Sequence, residues 1–301
     1  MPAYSLRQLR YFVSTVELCS VAAASRKLQI AQPSVSAAIK SLEDSFDIQL
    51  FIRQAQVLSL TPAGSRFYRK ARDLLRQAHR FEQNALADSS VISGTVDVGC
   101  FETVAPLYLP RILGSFSQQY PGVKVRVQDG EQHDLVAGLL AGRLDLAILY
   151  RHALDESIET VSLMHPMQPH VLLPEGHRLA AQESVSLHDL AAEPMVELDV
   201  QPSRNYFLSV FQEQGLEPNV VLRSPSMEMV RGLVGQGFGF ALLVTRPLGH
   251  CTYDGQILVT RPLLEQVTGS ELVVAQLRRN ALTRPAHIFM AHCQSVVRTA
   301  A

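Results

Sequence analysis

Features that announce enzyme chemistry are missing from this chain. Its four cysteines, Cys19, Cys100, Cys251 and Cys293, are scattered over 301 residues with no C-x-x-C pair. That spacing points to free thiols in a reducing compartment and away from a disulfide framework or a thiolate metal site. No G-x-S-x-G, H-E-x-x-H, G-x-x-x-x-G-K-S/T or G-x-G-x-x-G occurs, so no motif marks a hydrolase, zincin, P-loop or dinucleotide site. Gly235, Gly237 and Gly239 alternate too tightly for a phosphate loop and instead suit close backbone packing. The ten histidines show no ligand spacing beyond the scatter of His165, His170 and His177. No metal or cofactor is expected, and no catalysis. A basic-then-apolar leader and any apolar run of bilayer length are also absent, so the expected location is the cytoplasm, without a membrane partner.

What is present is a long, mixed, 47% hydrophobic sequence. Single cores stop growing near roughly 250 residues, so more than one domain is expected. The net charge of −1 hides an asymmetry. Residues 1–90 carry 12 Lys and Arg against 7 Asp and Glu, and residues 91–301 carry 15 against 21. A basic head on an acidic body suits a head that meets an anionic polymer.

In the head, Leu6, Leu9, Phe12, Val13 and Val16 recur at helical spacing. Ser20 is a candidate N-cap for a second helix, VAAASRKL, whose small residues let a neighbour approach. After a break at residues 29–31, Pro33 opens a third helix at a position where its missing N–H costs nothing. Val35, Ile39, Leu42 and Phe46 form its inward stripe. The opposite face shows Gln32, Ser34, Ser36, Ala37 and Lys40: small, polar and nearly free of acid. Such a face fits a DNA major groove, where Gln reaches base edges and Ser and Lys reach phosphates. Two helices joined by a tight turn make a helix-turn-helix. Residues 47–51 and 57–60 are expected to pair as strands, with residues 52–56 as the tip of a wing.

The run LRQLRYFVSTVELCSVAAASRKLQIAQPSVSAAIKSLEDSFDIQLFIR, followed by LTPAG, resembles the N-terminal module of LysR-type transcriptional regulators. About sixty residues match without a gap, and AQPSVS, SLED, QLF and LTPAG keep the family's order. The resemblance implies double-stranded DNA as partner, with Gln32, Pro33, Ser34, Ser36 and Lys40 near DNA and Arg53 on a phosphate. The chain departs from the family at Ala37, where Arg is frequent, and at Gln54, Gln56 and Val57, where basic wing residues are usual. Weaker wing contacts with a flatter salt dependence follow.

From Pro62 to about Ala87, Phe67, Ala71, Leu74, Ala78, Phe81 and Ala85 alternate by four and three, a heptad seam. The seam fits packing on the chain's own domain or self-pairing. The resemblance implies self-pairing, hence a homodimer or homotetramer on a two-fold symmetric operator, with RNA polymerase as a candidate further partner.

Beyond Gly94, strand-like and helical runs alternate, which predicts parallel α/β layers. One unit runs from about residue 90 to 162 and returns over 267–301; a second spans about 163–266. The domain expectation is therefore a winged helix-turn-helix over 1–60, a linker helix over 61–89 and a two-lobed α/β body over 90–301. YPGVKV, AGRLDLAI and VGQGFGFALL extend the family resemblance into the body. That resemblance implies a fold like periplasmic binding proteins, with a small-molecule effector between lobes.

Ligands of open α/β sheets bind at the C-terminal ends of strands. The candidate lining is Cys100, Phe101, Glu102, Thr103, Gly130, Glu131, Tyr150, Arg151 and His152 from one lobe. The other offers Leu198, Asp199, Gln201, Ser203, Arg204, Ser224 and Ser226. Thr103 and Ser203 at helix starts suit a carboxylate. Glu102, Glu131 and Asp199 suit an effector with an amine or several hydroxyls, unless they face solvent on the rim. Two rival readings remain: a thiol sensor using Cys100, and a solute-binding protein without catalysis.

Overall fold

The structure is a computed structural model that describes residues 4–54, 57–85, 92–278 and 282–300. It divides into two compact units, Met1–Ser89 and Ser90–Ala301.

In the first unit, α1 (Leu6–Glu17) opens on a capping box: Gln8 N–H donates to the Ser5 hydroxyl, and Ser5 N–H to the Gln8 side chain. Helix α2 (Val21–Leu28) is capped by Ser20 and stops at Gln29, in the left-handed region at φ 56°. Helix α3 (Gln32–Phe46) begins with Pro33 in its first turn. Strands β1 (Phe51–Gln54) and β2 (Val57–Leu60) pair antiparallel. Helix α4 (Pro62–Ala85) follows. Leu9, Phe12, Val13, Val35, Ile39, Leu42, Leu50, Phe51 and Ala71 form one buried core.

Two details depart from expectation. The first wing strand runs over Phe51–Gln54 instead of starting at Asp47, so residues 52–54, expected in the tip, pair with residues 57–59; residues 55 and 56 lie outside the described set. Asp47 takes the left-handed conformation at φ 50° and ends α3, and the Glu43 carboxylate holds the N–H groups of Leu50 and Phe51. Residues 47–50 are therefore a helix-terminating turn. Phe46 is 40% exposed, yet its ring packs against Tyr4 and Phe67. Gly64 explains the LTPAG landmark: a Cβ there would lie 2.0 Å from the Leu50 carbonyl oxygen, so α4 can start this close to the wing only with glycine.

The second unit is two-lobed. Its first lobe holds a five-stranded sheet built from β3 (Gly94–Phe101), β4 (Val123–Gly130), β5 (Leu146–Tyr150), β6 (Ile158–Ser162) and β12 (Leu272–Leu277), in the order β4-β3-β5-β12-β6. Strands β3, β4 and β5 are parallel; β12 runs antiparallel to both β5 and β6. The sheet is mixed rather than parallel because β12 re-enters from the other lobe. Helices α5 (Ala105–Gln119), α6 (Gln132–Leu140) and α10 (Arg284–Ala300) belong to this lobe.

In the second lobe, β7 (His170–Pro174) lies between β10 (Ala241–Leu243) and β11 (Leu258–Pro262), antiparallel to each. Strands β8 (Pro194–Leu198) and β9 (Asn219–Ser224) pair in parallel. A parallel bridge from Met195 to Phe240 links them to the start of β10. That bridge depends on Gly239, whose φ is 146° and whose absent Cβ would lie 2.0 Å from the Pro194 carbonyl oxygen. Close packing is thus seen at Gly239 and, against Gln256 and Thr252, at Gly235, whereas nothing lies within 4 Å of a Cβ at Gly237, whose φ is 82°. Helices α7 (Leu187–Ala191), α8 (Ser203–Gln212) and α9 (Met227–Gly235) complete the lobe. The two crossings between lobes are tied together where Met167 and Ser270 exchange both backbone hydrogen bonds at 2.8 Å.

Candidate nucleic-acid interface and effector cleft

On α3, Val35, Ile39 and Leu42 are buried, whereas Gln32, Pro33, Ser34, Ser36, Ala37 and Lys40 are all exposed. Of the acids in α3, Glu43 is turned onto the wing backbone. Arg53 lies on β1, with its side chain outside the described residues. The seam of α4 is divided. Phe67 packs edge-on against Phe12 and Phe46, Ala71 is buried, and Leu74 packs on the same core. Further along, Ala78 is half-buried and Phe81 is 74% exposed. The first half of the seam therefore serves its own domain, because those turns lie over α1.

In the second unit, several strand-end residues are core rather than lining. Cys100, Phe101 and Leu198 are buried. The Cys100 thiol lies beside that of Cys293 on α10; burial pushes its pKa well up, and that of Cys293 to about 12. Cys100 therefore belongs to the packed face of the sheet on the α10 side. Other candidates are already engaged. Arg151 pairs with Glu271 at 3.0 Å, and Asp199 with Arg204 at 2.9 Å. Ser226 caps α9 by accepting from Met229 N–H, and Ser224 accepts from Ser226 N–H. Ser203 is buried as the first residue of α8.

Glu102, Thr103, Glu131 and Tyr150 lie at the ends of the adjacent strands β3, β4 and β5, while the Gln201 amide donates to Asn205. The backbone N–H of Glu102 donates to the Gly130 carbonyl at 3.1 Å, which places Glu102 beside the end of β4. Its Oε1 is buried without a hydrogen-bond partner. Burial, then Glu131, then Asp129 raise its pKa above the usual carboxylate range. Glu131 lies 3.3 Å from the His133 ring. Thr103 and Tyr150 are buried, and the Tyr150 hydroxyl meets the hydroxyls of Thr103 and of Thr245 from the second lobe.

A cavity of about 350 Å³ adjoins the crossings, lined by His152, Pro202, Asn205, Tyr206, Glu213 and Thr268, among others. The His152 ring lies 5.3 Å from that of Tyr206, and its Nε2 is 3.2 Å from the Ser270 hydroxyl. Burial lowers its pKa, which favours the neutral imidazole. Tyr206 donates to the Thr268 carbonyl at 2.7 Å. Gln132, Tyr206, Thr245 and Thr268 were missed in the sequence. Gln132 and Tyr206 enter from the first turns of helices and Thr268 from a crossing, while Thr245 follows a strand of only three residues.

A winged helix-turn-helix joined in one chain to a two-lobed α/β ligand-binding unit defines a DNA-binding transcriptional regulator, not an enzyme. Residues 6–65 match the family model described as bacterial regulatory helix-turn-helix protein, lysR family, and residues 89–298 match the LysR substrate binding domain. The chain belongs to the LysR family of transcriptional regulators. It is 60% identical to the crystal structure of HinK, a LysR family transcriptional regulator from Pseudomonas aeruginosa, with a TM-score of 0.67 over 98% of this chain and 99% of that one. It is 30% identical over 241 residues to the DNA-binding transcriptional dual regulator OxyR of Escherichia coli K12, covering 79% of this chain and 78% of OxyR. The structure of full-length CbnR complexed with its target DNA shares the fold, at 20% identity and a TM-score of 0.69. Among the described residues no helix is long and apolar enough to cross a membrane, and no group of three or more His, Cys, Asp and Glu could hold a metal ion.

Proposed function

We propose that this regulator responds to a small effector bearing an amine or several hydroxyl groups, bound between the lobes and held by Glu102 with Glu131. The observation that carries the reading is the Glu102 Oε1 atom, which is buried and has no hydrogen-bond partner. An unpaired buried acceptor costs free energy that a ligand N–H or O–H recovers. Nearby Asp129 and Glu131 add to the negative potential.

Effector binding acts on DNA by favouring one angle between the lobes, and so one spacing of the reading heads. This requires unequal affinity for the two arrangements. Gln32, Pro33, Ser34, Ser36 and Lys40 face the duplex, with Arg53 on a phosphate. Two chains pair through the distal turns of α4, and a homodimer or homotetramer reads a two-fold symmetric operator. The regulator works in the cytoplasm, with RNA polymerase as a further partner. Thiol sensing through Cys100 is disfavoured, since a thiol held protonated by burial is a poor nucleophile.

The test is a thermal-shift and footprinting series with amines, polyols and carboxylates. Ligand well above its Kd stabilises the native state by a few kcal/mol, about 2.7 at a hundredfold excess. Amine or polyol stabilisation with an altered footprint supports the reading. Stabilisation by carboxylates alone moves the site to Thr103, Arg151, Ser203 and Arg204. An unchanged footprint at saturation sinks the regulatory mechanism.

A further inference from the structure

Formal charge in the cleft does not cancel once the internal pairs are removed. Arg151 is engaged by Glu271, Arg204 by Asp199, and Arg223 by Glu197. The buried Arg231 donates to the carbonyls of Gly249 and Cys251 and pairs with Glu228. On the first lobe this leaves Glu102 with Asp129 and Glu131, with no Lys or Arg in ion-pair contact among the described residues. On the second lobe it leaves Arg246, which has no carboxylate within ion-pair distance among the described residues.

Topology brings both sets to strand ends, and on the second lobe Arg246 lies near His170, where its charge adds to burial in lowering the imidazole pKa. Strand β10 meets the parallel pair β8-β9 through the parallel Met195–Phe240 bridge. The segment leaving β10, with Thr245 and Arg246, therefore emerges at the same strand ends as Asp199 and Ser224, the ligand end of such sheets. Tyr150 joins the halves: its hydroxyl meets Thr103, next to Glu102, and Thr245, next to Arg246.

A second unpartnered acceptor sits on the acidic side. Gln132 is 6% exposed, and its Nε2 donates to the His152 carbonyl at 2.8 Å, bridging the ends of β4 and β5. Its Oε1 is buried with no partner. Exchanging the two ends of the amide would set oxygen against the His152 carbonyl, so the orientation is fixed by its neighbour. Two orphan acceptors, Glu102 Oε1 and Gln132 Oε1, thus lie at the ends of adjacent strands and call for a nitrogen with more than one N–H.

We infer that the effector is a small zwitterion, its protonated amine taken by Glu102 and Gln132 and its carboxylate by Arg246. This inference rests on the acidic-cleft reading and goes beyond it by adding the anionic end and the residue that receives it. A ligand charged at both ends bridges the lobes, whereas a plain amine satisfies the first lobe alone. Closure is thereby coupled to the presence of both groups.

The test is calorimetric titration of the full chain with α- and ω-amino acids of two to six carbons. Each is run beside its matched alkylamine and alkyl carboxylate. At least one amino acid should bind at least tenfold more tightly than either matched compound. Arg246→Gln should reduce that amino acid to the affinity of the amine while leaving the amine unchanged. Glu102→Gln should reduce it toward the affinity of the carboxylate. Arg246 is exposed, so an unchanged melting temperature of the unliganded variant confirms that folding is intact. An amine that binds as tightly as its amino acid, with Arg246→Gln silent, overturns the zwitterion and leaves the acidic cleft standing. A carboxylate that binds best, with Glu102→Gln silent, overturns both. Binding by none of the panel overturns the zwitterion.

Discussion

The carboxylate of Glu43 on α3 accepts the backbone N–H of Leu50 at 2.8 Å and that of Phe51 at 3.3 Å. One acid therefore orders the turn between α3 and the wing, and its charge is drawn off the exposed face of α3 that is proposed to meet DNA. Glu43→Ala removes two charge-assisted hydrogen bonds and leaves two N–H groups to find other partners. A loss of about 2–3 kcal/mol is expected, measured by denaturant unfolding, with Glu43→Gln in between. An Ala variant as stable as the parent would remove this role from the SLED landmark.

The same logic applies where backbone meets backbone. Gly64→Ala places a methyl group 2.0 Å from the Leu50 carbonyl oxygen, and α4 must move off the wing to admit it. The expected cost exceeds about 3 kcal/mol, at the high end of single substitutions. DNA binding should be lost together with the cooperative unfolding transition of the head.

These two cases mark what was readable beforehand. Helices α1 to α3 and their buried stripe were legible because an apolar period runs through α1 and α3, Ser20 caps α2 and Pro33 stands in the first turn of α3. The start of β1 was not, because the turn at residues 47–50 is held by a side chain seven residues away, which no local pattern reports. In the body, strands such as β3, β5 and β8 stood out as apolar runs. Strand β6, IETVS, carries too little apolar character, and β12 reads the same whether parallel or antiparallel. For the proposed cleft, strand-end reasoning named Glu102, Thr103 and Tyr150, which the proposal keeps, and also Cys100, Phe101 and Leu198, which pack into the core. Sequence shows where a strand ends, not which of its faces is already packed. Thr245 and Arg246, which the proposed site adds, escaped for a related reason: β10 is three residues long, and its direction is visible only through its pairing.

Glu102 makes a pH prediction with a definite sign. Its carboxyl pKa is raised in the folded protein by burial, Glu131 and Asp129, so the native state binds more protons than the unfolded chain. Stability of the unliganded protein should therefore fall as pH rises from the ordinary carboxylate value through the raised one. Cation binding should strengthen over the same window. In Glu102→Gln both trends should flatten, as read from melting temperature and ligand affinity against pH. A parent whose stability rises monotonically there, with no difference in the variant, would contradict this placement.

On DNA, Lys40 and Gln32 should fail differently. Lys40→Ala should weaken binding evenly across sequences and lower the salt slope by about one. Gln32→Ala should cost about 1–3 kcal/mol on the preferred operator and little on unrelated DNA, relaxing specificity. Titrations at two or more salt concentrations separate the two. A Gln32→Ala variant that weakens all sequences equally would make Gln32 a phosphate contact instead.

The divided seam of α4 gives the last contrast. Phe67 packs within 5.4 Å of Phe12 and 5.0 Å of Phe46, so Phe67→Ala should destabilise the head by about 3 kcal/mol, as large-to-small core substitutions do. Phe81 is 74% exposed, so Phe81→Glu should leave the unfolding transition of the head in place. If the distal turns pair two chains, that charge must be desolvated between helices, and the dimer should dissociate in sedimentation measurements. Monomer and operator half-site binding would then remain. A Phe81→Glu protein with unchanged mass in solution would show that pairing does not run through this end of the helix, and the self-association surface would have to be sought in the body.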